Sequence, residues 1–453
     1  MTKVRTRFAP SPTGFLHIGS LRTALYAYAL AKHSFGDFVL RIEDTDQKRK
    51  VKGAVDALQN TLKKFGLVWD EFYVQSERQK EGLYLKAAKK LVSDGHAFYC
   101  QCEAKNAKEE GYSTILRDPC RSKGLKSGAI KLLVPEEKTL SYFDFVHKKE
   151  ISWKSENVYD ATLLKSDGFP TYHLAVVVDD LEMKISHILR GHDWLPSTPI
   201  HLLVFDYLGE GNRPEIGHTT DILSAVTGKK LSKRRDSVFV EQFIENGYLP
   251  EALLNFVMLL GWAPKDNREL FTLEEFVKNF DINGFQEANP RFLEEKLNWM
   301  NGHYIREIYD INPDSLVELT LKFAPVGAKE EDIKVILPLV KDRMKVLSDF
   351  SSLAAGYFED PTVVPELKSE THQEHLRVAN EVLKSLDNWT KEEIDKVLIE
   401  DAIKKNNFKV GDFFMSLRLA IFGNSTTPPI NDSLVILGKE KSLVRIKQNL
   451  NNP

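Results

Sequence analysis

The sequence predicts an α/β fold whose parallel sheet is split by an α+β insert and followed by all-helical domains. Three observations predict it. The chain opens with strand, tight turn, helix and strand. A segment rich in turns, holding every cysteine, then interrupts that pattern before it resumes. From about residue 236 the apolar residues recur at helical spacing. The expected domains are 1–93 with 168–235, an insert over 94–167, a helical segment over 236–322 and an all-helical part over 323–453.

Residues 4–9 form the first strand candidate. Pro10, Ser11, Pro12, Thr13 and Gly14 compose a turn. Leu21, Leu25 and Tyr28 then recur at helical spacing, which predicts a helix over about 19–32. Residues 38–42 form a second strand that runs into the acidic Glu43, Asp44 and Asp46. Strand, helix and strand around a tight first turn is the pattern of a Rossmann-type nucleotide-binding unit. In the insert, 129–134 is a short strand candidate. Residues 172–178 are apolar and β-branched, which predicts a buried parallel strand, and 185–189 and 200–207 continue the α/β pattern. Thr272 with Glu275, and Thr390 with Glu393, have the spacing of capping boxes. Ile333, Ile336, Leu337, Val340, Met344 and Leu347 predict one helical face, and Pro428 with Pro429 separates two later helices.

The composition fits a globular protein: 453 residues, 42% hydrophobic and 28% charged. The longest apolar stretch, 253–263, is far shorter than the roughly 20 residues of a spanning helix, so no membrane association is expected. The net charge of −3 carries no global basic excess, but nucleic-acid binding needs only a local basic surface. Three cysteines cannot form a disulfide framework, which predicts a reducing compartment. Residues 1–7 lack the apolar core of a signal peptide.

Two motifs carry chemistry. The turn before the first helix contains His17, Gly19 and Ser20. Backbone N–H groups at a helix start can hold phosphate, and a histidine there can donate to a phosphate oxygen. Far along the chain, Gly228, Lys229, Lys230, Leu231, Ser232, Lys233, Arg234 and Arg235 place five cations in one short loop. Such a loop can clamp a polyphosphate and offset charge that develops during transfer. Alone, the first is equally a plain turn and the second a solvated basic loop. Together with a split α/β sheet they form a joint signature.

That signature resembles the class I aminoacyl-tRNA synthetases. Within the class, the stretch from Arg7 to Gly14 and that from Arg41 to Asp46 look like glutamyl-tRNA synthetase. So do Pro170 to Ala175, Arg190 and Gly191 with Trp194, and Lys296 to Arg306 with Trp299 and Tyr304. The resemblance covers nearly the whole chain. It implies ATP-dependent ligation of L-glutamate to tRNA(Glu) through a glutamyl-adenylate, with release of AMP and pyrophosphate and with Mg2+ accompanying ATP. It also implies a cytoplasmic, monomeric enzyme. The insert would bind the acceptor end, 236–322 the inner stem, and 323–453 the anticodon.

By position in the family motifs, His17, Gly19 and Lys233 would be catalytic. Asp193, Trp194, Lys230 and Ser232 would join them in binding ATP. Arg7, Ala9, Ser11, Glu43, Tyr172 and Arg190 would bind glutamate, with Glu43 on the α-ammonium, Arg7, Tyr172 and Arg190 on the side-chain carboxylate and Ser11 alongside. A guanidinium fork can hold a carboxylate bidentately. Taken singly, Glu43 to Asp46 could be a capped helix start, Tyr172 a core ring and Arg190 a surface ion-pair partner. Lys341 and Arg343 are candidates for anticodon contact or for a solvated helix face.

Many members of the family bind zinc in the insert. Cys100, Cys102 and Cys120 match three of its ligands, but Ser122 stands where the fourth, a histidine, would be. Tyr112, a nearby carboxylate or water would have to complete a structural site. Val176 also departs from the family, which has an asparagine there that helps bind the amino acid, and His218 to Ile222 replace a more apolar stretch. Two readings stand beside the main one: an enzyme that also charges tRNA(Gln), and a paralogue that glutamylates a tRNA base. The second lacks the anticodon-binding half, whereas helical sequence continues here well beyond residue 322.

Overall fold

The computed structural model describes residues 3–46, 51–102, 116–232, 238–361 and 364–450. The chain packs as two compact units: Met1–Ile244 with Leu253–Glu294, and Glu245–Ala252 with Glu295–Pro453. Residues 236–322, expected as one helical module, are shared between them. No helix among the described residues is long and apolar enough to cross a membrane.

The first unit opens with β1 (Arg5–Phe8), α1 (Ile18–His33) and β2 (Asp37–Ile42). Four of the ten buried residues of α1 are alanines, and the helix meets the sheet where the Thr6 hydroxyl donates to the Ala27 carbonyl at 2.7 Å. The helix ends at a sharp return to the sheet. Gly36 N–H donates to the Ala31 carbonyl at 2.8 Å and Asp37 N–H to the Val4 carbonyl at 3.0 Å. A Cβ at Gly36 would overlap that Val4 carbonyl, so only glycine fits.

The helices α2 (Ala54–Lys64), α3 (Gln75–Lys80) and α4 (Leu83–Ser93) flank β3 (Glu71–Val74). β2 pairs in parallel with both β1 and β3. The insert contributes β4 (Ala97–Cys100), β5 (Ala129–Leu132) and β8 (Thr162–Leu164), which form an antiparallel sheet in the order β4-β5-β8. It also contributes the hairpin β6 (Thr139–Asp144) and β7 (Lys149–Lys154). The parallel pattern resumes with α5 (Tyr172–Glu182), β9 (His187–Gly191), α6 (Thr198–Leu208) and β10 (Glu215–Thr219).

β9 and β10 pair in parallel, and β10 meets β6 at Ile216 and Asp144. The insert's hairpin therefore extends the main sheet. β1 runs beside β9, where Ser186 N–H donates to the Arg5 carbonyl at 2.9 Å. The three-stranded sheet β1-β2-β3 and the four-stranded sheet β7-β6-β10-β9 thus meet at β1 and β9, and ligands of parallel α/β sheets bind beyond the strand C-termini at such a switch point.

Residues 172–178 are not the expected strand. They are the first turns of α5, which starts after an extended Thr171 (φ −80°, ψ 169°). Residues 173–180 are all buried, so no polar face marks a helical period, and an apolar run of this length does not separate buried strand from buried helix.

The second unit shows no strand among its described residues. Its helices Glu330–Val340, Glu370–Lys384 and Val410–Phe422 share one apolar core with their neighbours. The helical face expected to run on to Leu347 stops at Val340. A 3-10 turn follows, and Met344 adopts an extended conformation (φ −73°, ψ 125°), yet Met344 and Leu347 remain buried in that core. The Thr390 hydroxyl accepts the Glu393 N–H at 3.3 Å, and in the first unit Thr272 and Glu275 form a complete capping box.

Replacing Gly36 by alanine is expected to cost about 1–3 kcal/mol, because the carbonyl it strikes belongs to the sheet. Urea unfolding followed by far-UV circular dichroism measures this, and an unchanged midpoint would show that the α1–β2 turn can relax.

Candidate active site

The first turn places its histidine at the start of α1. His17 is the N-cap, and its Nδ1 accepts the Gly19 N–H at 3.0 Å. A ring nitrogen that accepts carries no proton, so the proton sits on Nε2. His17 is thus a helix cap and also lines a cavity of about 440 Å³ at the switch point of the sheet.

Behind that cavity lies a buried cluster of charges. Arg41 on β2 is fully buried and donates to Asp180 Oδ1 at 2.6 Å and to Glu43 Oε1 at 3.0 Å. Arg7 on β1 donates to the same Asp180 oxygen at 3.1 Å and to the Leu189 carbonyl at 3.2 Å. The neighbouring Asp179 accepts from Arg78 and Gln75, each at 2.8 Å, and from the Tyr84 hydroxyl. Burial would raise the Asp180 pKa, but Arg41 and Arg7 outweigh it and hold the carboxyl below the ordinary aspartate range. For Glu43 burial wins, and its pKa is raised. Asp44 takes a different part. Its oxygens accept from Ser76 N–H at 2.8 Å and Ser76 Oγ at 2.7 Å, so it caps the first turn of α3.

On the other side of the cavity, Arg190 at the end of β9 is 5% exposed and donates to His218, His201 and Thr198. It is buried, not a surface residue. Tyr172 opens α5, and its ring lies 4.1 Å from that of Trp194. Lys230 bridges Asp193 at 2.6 Å and Asp221 at 2.8 Å. Burial would lower its pKa, but the two carboxylates outweigh this and raise it.

The cavity thus brings together Arg7, Ala9, Ser11, His17, Gly19, Glu43, Tyr172, Arg190, Asp193, Trp194 and Lys230. Ser232 does not line it. Lys233, Arg234, Arg235 and Tyr112 lie outside the described residues, so the expected meeting of His17 with Lys233 does too. Lys230 and His17 share the cavity. Val176, where the family has asparagine, is 2% exposed and packed in an apolar core cluster with Leu174 and Val177.

Sequence reasoning missed Asp180, Asp144 and His201, and it called for a carboxylate near the cysteines without naming Asp118. A signal for Asp180 was present, because two aspartates in an otherwise apolar run must find cationic partners when buried. Lys341 and Arg343 are engaged within their own unit. The Lys341 ammonium sits 4.8 Å from the Tyr309 ring centroid, and Arg343 donates to the Thr427 carbonyl.

In the insert, the sulfurs of Cys100, Cys102 and Cys120 and a carboxylate oxygen of Asp118 all lie within 4.8 Å of one another. Asp118 is anchored by Lys131 Nζ at 2.6 Å and by the Cys120 N–H at 2.8 Å. Three thiols and one carboxylate make a donor set that fits a four-coordinate metal ion. The carboxylate precedes Cys120, whereas Ser122 follows it.

Two family models match the chain: "tRNA synthetases class I (E and Q), catalytic domain" over residues 3–299, and "Anticodon binding domain" over residues 315–450. Among curated proteins, the glutamate–tRNA ligase of Finegoldia magna is 37% identical, with 100% of each chain covered. That of Clostridium botulinum is 38% identical, covering 99% of this chain and 98% of its own. Among solved structures, the glutamate–tRNA ligase of Elizabethkingia meningosepticum, in complex with its amino acid, matches at 31% identity with a TM-score of 0.87 and 99% of each chain covered. The glutamate–tRNA synthetase of Elizabethkingia anophelis matches at 31% identity and a TM-score of 0.88, over 99% of this chain and 100% of its own. The switch-point cavity, the split parallel sheet and these full-length matches lead to one assignment: the chain belongs to the glutamate–tRNA ligase family of class I tRNA synthetases.

Proposed function

We propose that this protein ligates L-glutamate to tRNA(Glu), using ATP and passing through a glutamyl-adenylate. The observation that carries the reading is a pair of opposite receptors in one cavity. Arg190 is buried with uncharged acceptors on three of its N–H groups, and Glu43 lines the same space. A zwitterion with an acidic side chain matches both, its side-chain carboxylate on Arg190 and its ammonium on Glu43. Arg7 adds positive potential, and Ala9, Ser11 and Tyr172 shape the walls.

The reaction then needs positioning and charge stabilisation. The α-carboxylate of glutamate attacks the α-phosphorus of ATP, and the bond to the leaving pyrophosphate breaks. His17, protonated on Nε2, donates to a phosphate oxygen, with Gly19 allowing close approach. Lys230 and Lys233 offset the charge that gathers on pyrophosphate, and Asp193 and Trp194 hold the nucleotide. Mg2+ enters with ATP as part of the substrate. A terminal ribose hydroxyl of tRNA then takes the glutamyl group and AMP leaves. The matched anticodon-binding domain favours aminoacylation of tRNA over glutamylation of a tRNA base.

We further propose that Cys100, Cys102, Cys120 and Asp118 hold a structural zinc, which would tie β4 to the loop before β5. The division of labour along tRNA follows the family: 94–167 for the acceptor end, 236–322 for the inner stem and 323–453 for the anticodon. Three unpaired thiols suit a reducing, cytoplasmic compartment, and the resemblance favours a monomer.

Arg190→Gln is expected to lower kcat/KM for glutamate at least about a hundredfold, while ATP still binds, because the amide cannot replace a buried guanidinium. Pyrophosphate exchange with each amino acid, with and without tRNA, measures this; unchanged glutamate kinetics would refute the assignment. Lys233→Ala should slow adenylate formation more than it weakens glutamate binding, and pre-steady-state exchange separates the two. Metal analysis of the purified chain should find one zinc, and Asp118→Asn should loosen it about 10–100-fold in a chelator competition. Full retention of zinc in that variant would exclude Asp118 as a ligand.

A further inference from the structure

The acceptors around Arg190 are arranged in a way that its role as a carboxylate receptor does not by itself require. Nε donates to His218 Nε2 at 3.0 Å, Nη1 to His201 Nδ1 at 2.9 Å and Nη2 to Thr198 Oγ1 at 2.8 Å. Among the described residues no carboxylate lies within ion-pair distance of this guanidinium. Arg7 and Arg41, by contrast, both lean on Asp180.

A guanidinium only donates, so it dictates the tautomer of each imidazole it meets. His218 must keep a lone pair on Nε2, and its Nδ1 proton goes to Asp144 Oδ2 at 2.7 Å. Asp144 is itself fixed, because it accepts the Tyr142 hydroxyl at 2.8 Å and the Val146 and His147 N–H groups at 3.0 Å. His201 must keep its lone pair on Nδ1, so its Nε2 proton goes to His173 Nδ1 at 3.2 Å. The Nε2 of His173 then lies 3.3 Å from the Tyr159 hydroxyl. Two hydrogen-bonded chains thus start at one guanidinium and assign every ring proton.

We propose that His218, with its tautomer set by Asp144, and His201 are positioning residues that determine substrate specificity: they orient Arg190 as neutral acceptors and leave its charge for the carboxylate of the bound amino acid. This rests on the reading of Arg190 as the glutamate receptor. With a protein carboxylate in place of either imidazole, Arg190 would be neutralised internally, and an acidic ligand would add a second negative charge to a finished ion pair. With imidazoles, a carboxylate ligand completes the pair, while a neutral amide leaves a buried cation without a counter-ion. Burial supports the neutral state of the rings. It is the largest cause that lowers His218 and His173 to about 4 and His201 well below its usual value, with the Arg190 charge adding to it.

The test compares two variants of the full chain. His218→Gln keeps an uncharged acceptor, and His218→Glu substitutes an anionic one. In tRNA-charging assays, His218→Gln is expected to raise the glutamate KM about threefold and His218→Glu about thirtyfold, with the ATP KM unmoved in both and the preference for glutamate over glutamine at least tenfold lower in the second alone. Equal effects of the two variants, or an unchanged preference in His218→Glu, would overturn the inference. If Arg190→Gln also leaves glutamate binding intact, the receptor assignment itself falls; if Arg190→Gln loses binding while the two His218 variants behave alike, only the role of the imidazoles falls. Nitrogen NMR of the histidine-labelled wild-type protein gives a reading that needs no variant to fold. It should show His218 protonated on Nδ1 alone at neutral pH, and an Nε2 proton or an imidazolium there would overturn the proposal.

Discussion

Asp180 is the constraint on which the catalytic geometry rests. One oxygen of this buried carboxylate receives Arg7 from β1 and Arg41 from β2, so helix α5 is bound to two adjacent strands through a single atom. Arg41 extends the tie to Glu43 just beyond β2. Removing one member of such a cluster strands the others without a counter-charge, which typically costs about 3–5 kcal/mol. The strands, the helix and the lining of the cavity are therefore set together.

The cavity divides its charges in two. On the β2 side, arginines and carboxylates are paired among themselves, and the protein supplies both signs. On the β9 side, Arg190 meets two imidazoles and a hydroxyl. The same residue type thus meets protein carboxylates in Arg41 and only uncharged acceptors in Arg190. Asp144 illustrates the economy of the arrangement: the insert's hairpin joins the main sheet at this residue, and the same carboxylate orients His218. The insert is therefore coupled to the wall of the cavity as well as carrying the thiol group.

Val176 shows how a departure from a family pattern is absorbed. A valine where hydrogen bonding is expected would leave a polar partner unsatisfied if it faced the cavity. It is packed instead among apolar neighbours on α5, beside two buried aspartates that carry the polar work of that helix.

Whatever is local in the chain can be read from its residues alone. The first turn, helix α1, strands β1 and β2, the capping box at Thr272 and the helical texture of the second unit all follow from residues a few positions apart. The residues that line the cavity were legible only through the joint resemblance of several motifs, because Glu43, Tyr172 and Arg190 taken singly each have a plain structural reading. Tertiary structure decided the partners. Arg7 and Asp180 are 173 residues apart and Arg41 and Asp180 are 139 apart, and nothing in either neighbourhood names the other. The run 172–178 was misread because complete burial erases the polar face by which a helix differs from a strand. A carboxylate near the cysteines was expected, but Asp118 went unnamed because it precedes Cys120, while the family pattern directs attention to Ser122. Short-range order is written in periodicity and turn chemistry, but the pairing of buried charges depends on which elements the folded chain brings side by side.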